Sequence, residues 1–183
     1  MATKFFSKIY TTWENKQIKK YEKILEILKD NSIDIKRFKS LNIGCSGFFL
    51  EKFLIERELL PKFFVSIDIY RSVLEEFISI RKILLKNRIN FILASGDSMP
   101  FRKESFDLVF CIDVAHLLNS LEEIYVTIAM GGYLVLSSFF NLSNKERIRE
   151  RLIKMLERFK ILKEFLLFEE ENELIFLAKK EMI

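Results

Sequence analysis

Cysteine, histidine, proline and glycine are all scarce in this 183-residue chain, at two, one, two and five residues. Cys45 and Cys111 stand far apart, with no CxxC and no Cys/His spacing, so neither a disulfide framework nor a zinc site is suggested. Both read as small buried hydrophobes. With His116 the sole histidine, a Ser-His-Asp triad would have to use it, and nothing like a nucleophile elbow is present. No run of about 18 apolar residues occurs, which argues against a membrane span. The opening stretch MATKFFSKIYTTWENK interrupts every apolar run with Lys, Thr or Glu, leaving no signal-peptide core. The expectation is a cytoplasmic protein. Internal repeats, low-complexity segments and proline-rich linkers are missing too, so one domain is expected over 1–183, with 1–39 as an N-terminal helical cap and 40–183 as the core.

Half of the residues are apolar and 31% are charged, a balance that supports a folded core. The formal net charge of +4 is unevenly spread. Residues 1–40 hold ten Lys and Arg against five Asp and Glu, and the remainder is close to neutral. From Lys4 to Lys29, Phe6, Ile9, Tyr10, Trp13, Tyr21, Ile24, Leu25 and Leu28 recur mostly at three and four, the period of an amphipathic helix. Lys16, Lys19, Lys20 and Lys23 fall between them and read as a solvated lysine face rather than a nucleic-acid patch.

Beyond residue 40 short apolar runs alternate with longer amphipathic stretches. Leu41–Ile43, Phe63–Ile67, Phe91–Ala94, Phe106–Ile112 and Tyr133–Ser137 read as strands. Phe48–Leu60, Ser72–Lys86, Leu121–Ile128 and Asn144–Leu156 read as helices. Such alternation predicts a parallel sheet with helices on both faces. Ile161–Phe168 and Leu174–Ala178 flank the acidic stretch Glu169–Glu173, a link too short for a parallel crossover. The predicted architecture is therefore an α/β, Rossmann-like three-layer sandwich whose seven-stranded, mainly parallel sheet ends in an antiparallel hairpin.

In an open parallel sheet the ligand sits at the carboxyl ends of the strands. After the first strand comes LNIGCSGFFLE, where Gly44 and Gly47 flank a tight strand-to-helix turn that lets a ligand approach the backbone. Asp68 stands at the tip of the second strand, 24 residues past Gly44, where a carboxylate can accept from both hydroxyls of a ribose. Ser95, Gly96, Asp97, Ser98 and Met99 follow the third strand. Cys111, Ile112, Asp113 and His116 follow the fourth.

These segments together resemble the class I S-adenosylmethionine-dependent methyltransferases, nearest to the small-molecule enzymes of the ubiquinone/menaquinone-biosynthesis type. Residues 41–51 resemble the glycine-rich first motif, here shortened, VSIDIY the acidic second, GDSMPFRKESFDLVFCIDVAHLL the third and fourth, and MGGYLVLSSF the fifth strand. The resemblance implies S-adenosylmethionine as cofactor, with Asn42, Gly44, Cys45, Ser46 and Gly47 around its methionine part. It further implies Asp68 on the ribose, Ile69 packed on adenine, and Asp97 on the adenine amino group beside Gly96, Ser98 and Met99. Asp113 would lie near the sulfonium, and Asp113 and His116 are the candidate catalytic residues. Family members usually carry an acidic residue where this chain has Asn42. The N-terminal helices would lie across the cofactor mouth, and their basic excess leaves room for an acidic substrate or RNA beside the expected small-molecule acceptor. An alternative reading is a non-catalytic protein that keeps the fold as a cofactor sensor or as a subunit supporting a partner protein.

Overall fold

The computed structural model describes residues 17–168 and 172–181. The helical pattern read over residues 4–16, with Phe6, Ile9, Tyr10, Trp13 and Lys16, lies outside the described residues. Helix α1 occupies residues 17–30, and a 3-10 turn at Ile35–Arg37 leads into strand β1, Lys39–Ile43. The alternation continues through α2 (Phe49–Glu56), β2 (Phe63–Asp68), α3 (Arg71–Lys86), β3 (Ile89–Leu93) and β4 (Phe106–Cys111). A 3-10 turn at Ala115–Leu117, α4 (Glu122–Thr127), β5 (Ile128–Phe140), α5 (Lys145–Met155), β6 (Lys160–Phe168) and β7 (Asn172–Lys179) complete it.

The seven strands form one sheet in the order β3-β2-β1-β4-β5-β7-β6. β1 to β5 pair in parallel, and β7 is inserted antiparallel between β5 and β6. The order reverses at β1, which sends its neighbours β2 and β4 to opposite sides. A crevice opens at the carboxyl ends of such strands.

Because side chains alternate across a strand, each central strand feeds two cores. Val109 and Cys111 of β4 point into the layer closed by Leu121, Ile124 and Tyr125 near α4 and by Leu152 and Leu156 near α5. Leu108 and Phe110 point into the layer closed by Tyr21, Ile24 and Leu28 of α1, Phe49, Phe53 and Leu54 of α2 and Leu84 of α3. α1 is thus a full member of this layer, with Tyr21 against Phe53 at 5.5 Å between ring centroids.

Two boundaries differ from the sequence pattern for identifiable reasons. β5 starts at Ile128, directly after α4, and not at Tyr133. Its register with β4 slips, Phe106 facing Ile128 and Leu108 facing Tyr133, and Gly131 takes a left-handed φ of 78° in between. The double glycine therefore forms the irregular stretch within the strand instead of preceding it. The buried Lys180 ammonium fastens this corner, donating to the carbonyls of Tyr125 at 3.0 Å and Ile128 at 2.8 Å. β7 starts at Asn172, so Glu173, read as part of an acidic turn, is a buried strand residue.

Candidate functional site

The turn from β1 into α2 is tight enough to need three left-handed residues, Gly44, Ser46 and Phe48. A Cβ on Gly44 would stand 2.4 Å from the Val114 side chain, so only glycine fits. The N–H groups of Gly44 and Cys45 both donate to the Ile67 carbonyl, at 2.8 and 3.2 Å, which draws the loop over the end of β2. There Asp68 holds it. Its Oδ2 accepts from the Ser46 N–H at 3.0 Å and its Oδ1 from the Tyr70 N–H at 2.9 Å.

Two adjoining cavities open along this rim. One, of about 280 Å³, is lined by Asn42, Gly44, Cys45, Ser46, Asp68 and Asp113, with Gln17 and Tyr21 from α1 and Tyr70 and Ser72 near α3. The other, of about 130 Å³, is lined by Gly44, Asp68, Ile69, Gly96 and Asp97. Gly44, Asp68, Tyr70, Val114 and Leu117 belong to both. The carboxyl ends of β1, β2, β3 and β4 thus place Gly44, Asp68, Asp97 and Asp113 around one continuous crevice.

The three acids on the wall are partnered in different ways. Asp97 accepts from the backbone N–H and the Nδ2 of Asn119, both at 2.9 Å. Asp113, in a left-handed conformation with φ 61°, ion-pairs with the Lys20 ammonium and accepts from Gln17 Nε2 at 3.3 Å and Ser137 Oγ at 3.2 Å. Lys20 also reaches Glu173 Oε2 at 3.2 Å, and its side chain is 5% exposed against 1% for that of Glu173. Burial and the facing Asp113 carboxylate push the Glu173 carboxyl up to about 10. Burial alone would raise Asp113 as well, but Glu173 and Lys20 outweigh it and hold that carboxyl below its ordinary range. The cluster therefore holds one ammonium, one carboxylate and one protonated carboxyl.

Behind the opposite wall sits a fourth acid. Glu51, in the first turn of α2, is fully buried. Its Oε1 accepts from Asn42 Nδ2 at 2.8 Å and from Ser66 Oγ. Burial pushes its carboxyl up. Tyr21 lies between the two acid clusters, and burial, Glu51, Asp113 and Glu173 together raise its hydroxyl well above the ordinary range.

Of the residues singled out in the sequence, Gly47, Ser98, Met99 and His116 line neither cavity. Met99 is a core residue. His116 is exposed, packs edge-on against Phe139 with centroids 5.4 Å apart, and accepts from Arg151 through its backbone carbonyl. Cys45 and Cys111 are buried, and burial pushes both thiols up, as expected of inert hydrophobes. Sequence reasoning missed Gln17, Lys20, Tyr21, Glu51, Asn119 and Glu173. Lys20 offered a usable signal, since it falls on the same helical face as Tyr21, Ile24 and Leu28.

Residues 41–136 match the model of a methyltransferase domain. No curated protein matches the chain significantly in sequence. Among solved structures it is similar to the N-methyltransferase NodS from Bradyrhizobium japonicum WM9, at 18% identity and a TM-score of 0.65, over 90% of this chain and 96% of that one. It is also similar to a SAM-dependent methyltransferase from Methanosarcina mazei, at 15% identity and 0.66, over 81% and 94%. The (4+2)-cyclase SpnF matches at 14% identity and 0.66, over 80% and 76%. At such identities the likeness shows the fold, and the cyclase shows that the fold does not by itself fix the reaction. The domain match runs from β1 into β5, over more than half of the sequence, and on that ground the chain belongs to the methyltransferase-domain family.

Proposed function

We propose that this chain is an S-adenosylmethionine-dependent methyltransferase acting on a small-molecule acceptor. The observation that carries the reading is the convergence of Gly44, Asp68, Asp97 and Asp113 on one crevice at the strand ends. The residues present suit the cofactor. Asp68 spends one acceptor position of each oxygen on the loop, and a carboxylate has about four, so the ribose hydroxyls find acceptors in a group already fixed in place. Ile69, 62% exposed at the mouth of the smaller cavity, offers apolar surface to adenine. Asp97, oriented by Asn119, keeps acceptor capacity for an amino group. Asn42, Gly44, Cys45 and Ser46 surround the part of the larger cavity left for the methionine end.

The bound cofactor supplies a methyl group already activated on a sulfonium. The protein then has to hold donor and acceptor in line and keep water out. Asp113 lines the cavity and His116 does not, so Asp113 is the one placed to meet an acceptor's proton. Its lowered pKa makes it a weak base, which favours acceptors that need little help losing a proton. Two of the N-terminal basic residues also support a small acceptor over RNA. Lys20 is spent on Asp113 and Glu173, and Lys23 on Glu26 and the Phe165 ring.

Calorimetric titration with S-adenosylmethionine and with S-adenosylhomocysteine tests the reading. Both are expected to bind, and Asp68→Ala is expected to weaken both by about tenfold or more, the cost of removing an acceptor shared by two hydroxyls. No heat with either ligand would overturn it.

A further inference from the structure

Of the four acids around the larger cavity, three either hold backbone N–H groups or lie against the Lys20 ammonium, and the fourth has neither. Asp68 holds two backbone N–H groups, Asp113 holds Lys20, and Glu173 shares that ammonium. Glu51 is fully buried, takes two neutral donors on Oε1, and leaves Oε2 with no hydrogen-bond partner among the described residues. The cation next to it in sequence, Lys52, turns outward to Glu76 and the Phe49 ring. A carboxyl removed from water with half of its acceptor capacity unused and, among the described residues, no cation in contact is a standing cost. A merely structural tie between α2, β1 and β2 could be made by a neutral side chain.

The position of the charge gives it a use. Asn42 stands between Glu51 and the cavity, and its amide is oriented by the 2.8 Å bond from Nδ2 to the carboxylate. The polar atom that Asn42 has left to offer is its carbonyl oxygen, an acceptor with an ionisable carboxyl directly behind it that takes up its charge when a cation arrives. Such a wall attracts a cation and rejects an anion.

We propose that Glu51 is a positioning and selectivity residue that acts through Asn42 to favour a cationic group of the ligand, which, on the reading of the preceding section, is the ammonium of the cofactor's methionine part. A cation seated at Asn42 gives the buried carboxylate the countercharge it lacks. The raised Glu51 carboxyl fits a site that waits for one.

The test is calorimetric, with three probes: S-adenosylmethionine, S-adenosylhomocysteine and 5′-methylthioadenosine, which has the nucleoside but neither ammonium nor carboxylate. Glu51→Gln keeps the size and the hydrogen bonds and removes the charge. It is expected to weaken the two amino-acid-bearing ligands about tenfold, the scale of one charge-assisted contact, and to change 5′-methylthioadenosine less than about twofold. Asn42→Asp combined with Glu51→Gln puts the charge on the wall itself and is expected to restore both. Equal weakening of all three ligands, no change in any, or no recovery in the double variant would overturn the inference and leave the cofactor reading intact. If the unsubstituted chain bound none of the probes, both would go. Should Glu51→Gln not fold, Asn42→Ala read with the same probes decides: selective loss supports the inference, and uniform loss or none ends it.

Discussion

The two ends of the larger cavity treat buried negative charge in opposite ways. At the α1, β4 and β7 end, the Asp113 carboxylate pairs with the Lys20 ammonium and Glu173 beside them keeps its proton, so the countercharge is built into the fold. At the β1 and α2 end, among the described residues, Glu51 has only neutral donors on one oxygen and no partner on the other. A buried charge that a fold needs for its own integrity has to be compensated inside the chain, because the folded state must exist before any ligand arrives. A charge left open points instead to something brought from outside. The Lys20 cluster is therefore expected to govern stability, and Glu51 to govern ligand choice.

The largest effect that would break this comparison is on Lys20. Lys20→Met keeps the length of the side chain in the α1 layer but strands Asp113 without its cation, and breaking a buried pair from one side costs ~3–5 kcal/mol. Urea denaturation should show that loss, and Asp113→Asn added to Lys20→Met should recover most of it. A loss under ~1 kcal/mol would mean that water or Gln17 satisfies Asp113 and that the two ends do not differ as argued.

Next in size is Glu173→Gln, whose effect depends on pH. Below its ordinary value of 4.5 the Glu173 carboxyl is protonated in both folded and unfolded chains. Between 4.5 and about 10 the unfolded chain releases a proton that the folded chain retains, so stability falls as pH rises through that window. Asp113 runs the other way, since its lowered carboxyl adds stability above its ordinary value and loses it only as pH falls. Gln can donate to Asp113 at any pH. Glu173→Gln should thus leave the melting temperature near pH 5 almost unchanged and raise stability by up to roughly 5 kcal/mol at pH 8. A melting curve that tracks the unsubstituted protein across that range would contradict a protonated Glu173.

The sheet and its terminal hairpin were legible in the sequence because both rest on signals that local residues carry. Strand runs such as Phe63–Ile67 and Phe106–Ile112 are apolar except for Ser66 and Asp107 because both faces of the sheet are largely covered, and the link after Phe168 is too short for a parallel crossover. The convergence of Gly44, Asp68, Asp97 and Asp113 on one crevice was legible for a related reason, since the topology puts strand ends on one rim. What stayed hidden depends on pairings distant in sequence. Lys20 gives a hint of burial by sharing a helical face with Tyr21, Ile24 and Leu28, but its partner Asp113 lies 93 residues away. Glu51 looks like an ordinary charge in the first turn of a helix, where the dipole favours one, although it points inward at Asn42. Glu173 falls in a run of acids that reads as a solvated turn. Only the antiparallel register of β7 on β5, which sets Glu173 opposite Phe139, buries it.

Asp97 supplies a third case and the smallest effect. It is held neither by a cation nor left open, but is tied by the two N–H donors of Asn119, an exposed residue. Dipoles on a neutral residue orient a carboxylate without cancelling its charge, so Asp97 keeps its pull on a ligand's donor group. Asn119→Ala removes the side-chain donor and leaves the backbone one, and should cost no more than about 1 kcal/mol of stability. If orientation is what Asn119 supplies, affinity for 5′-methylthioadenosine should drop about threefold, since its amino group is the one Asp97 would meet. An unchanged affinity would place Asp97 among residues that only shape the turn, and the crevice would then rely on Asp68 alone to recognise the nucleoside.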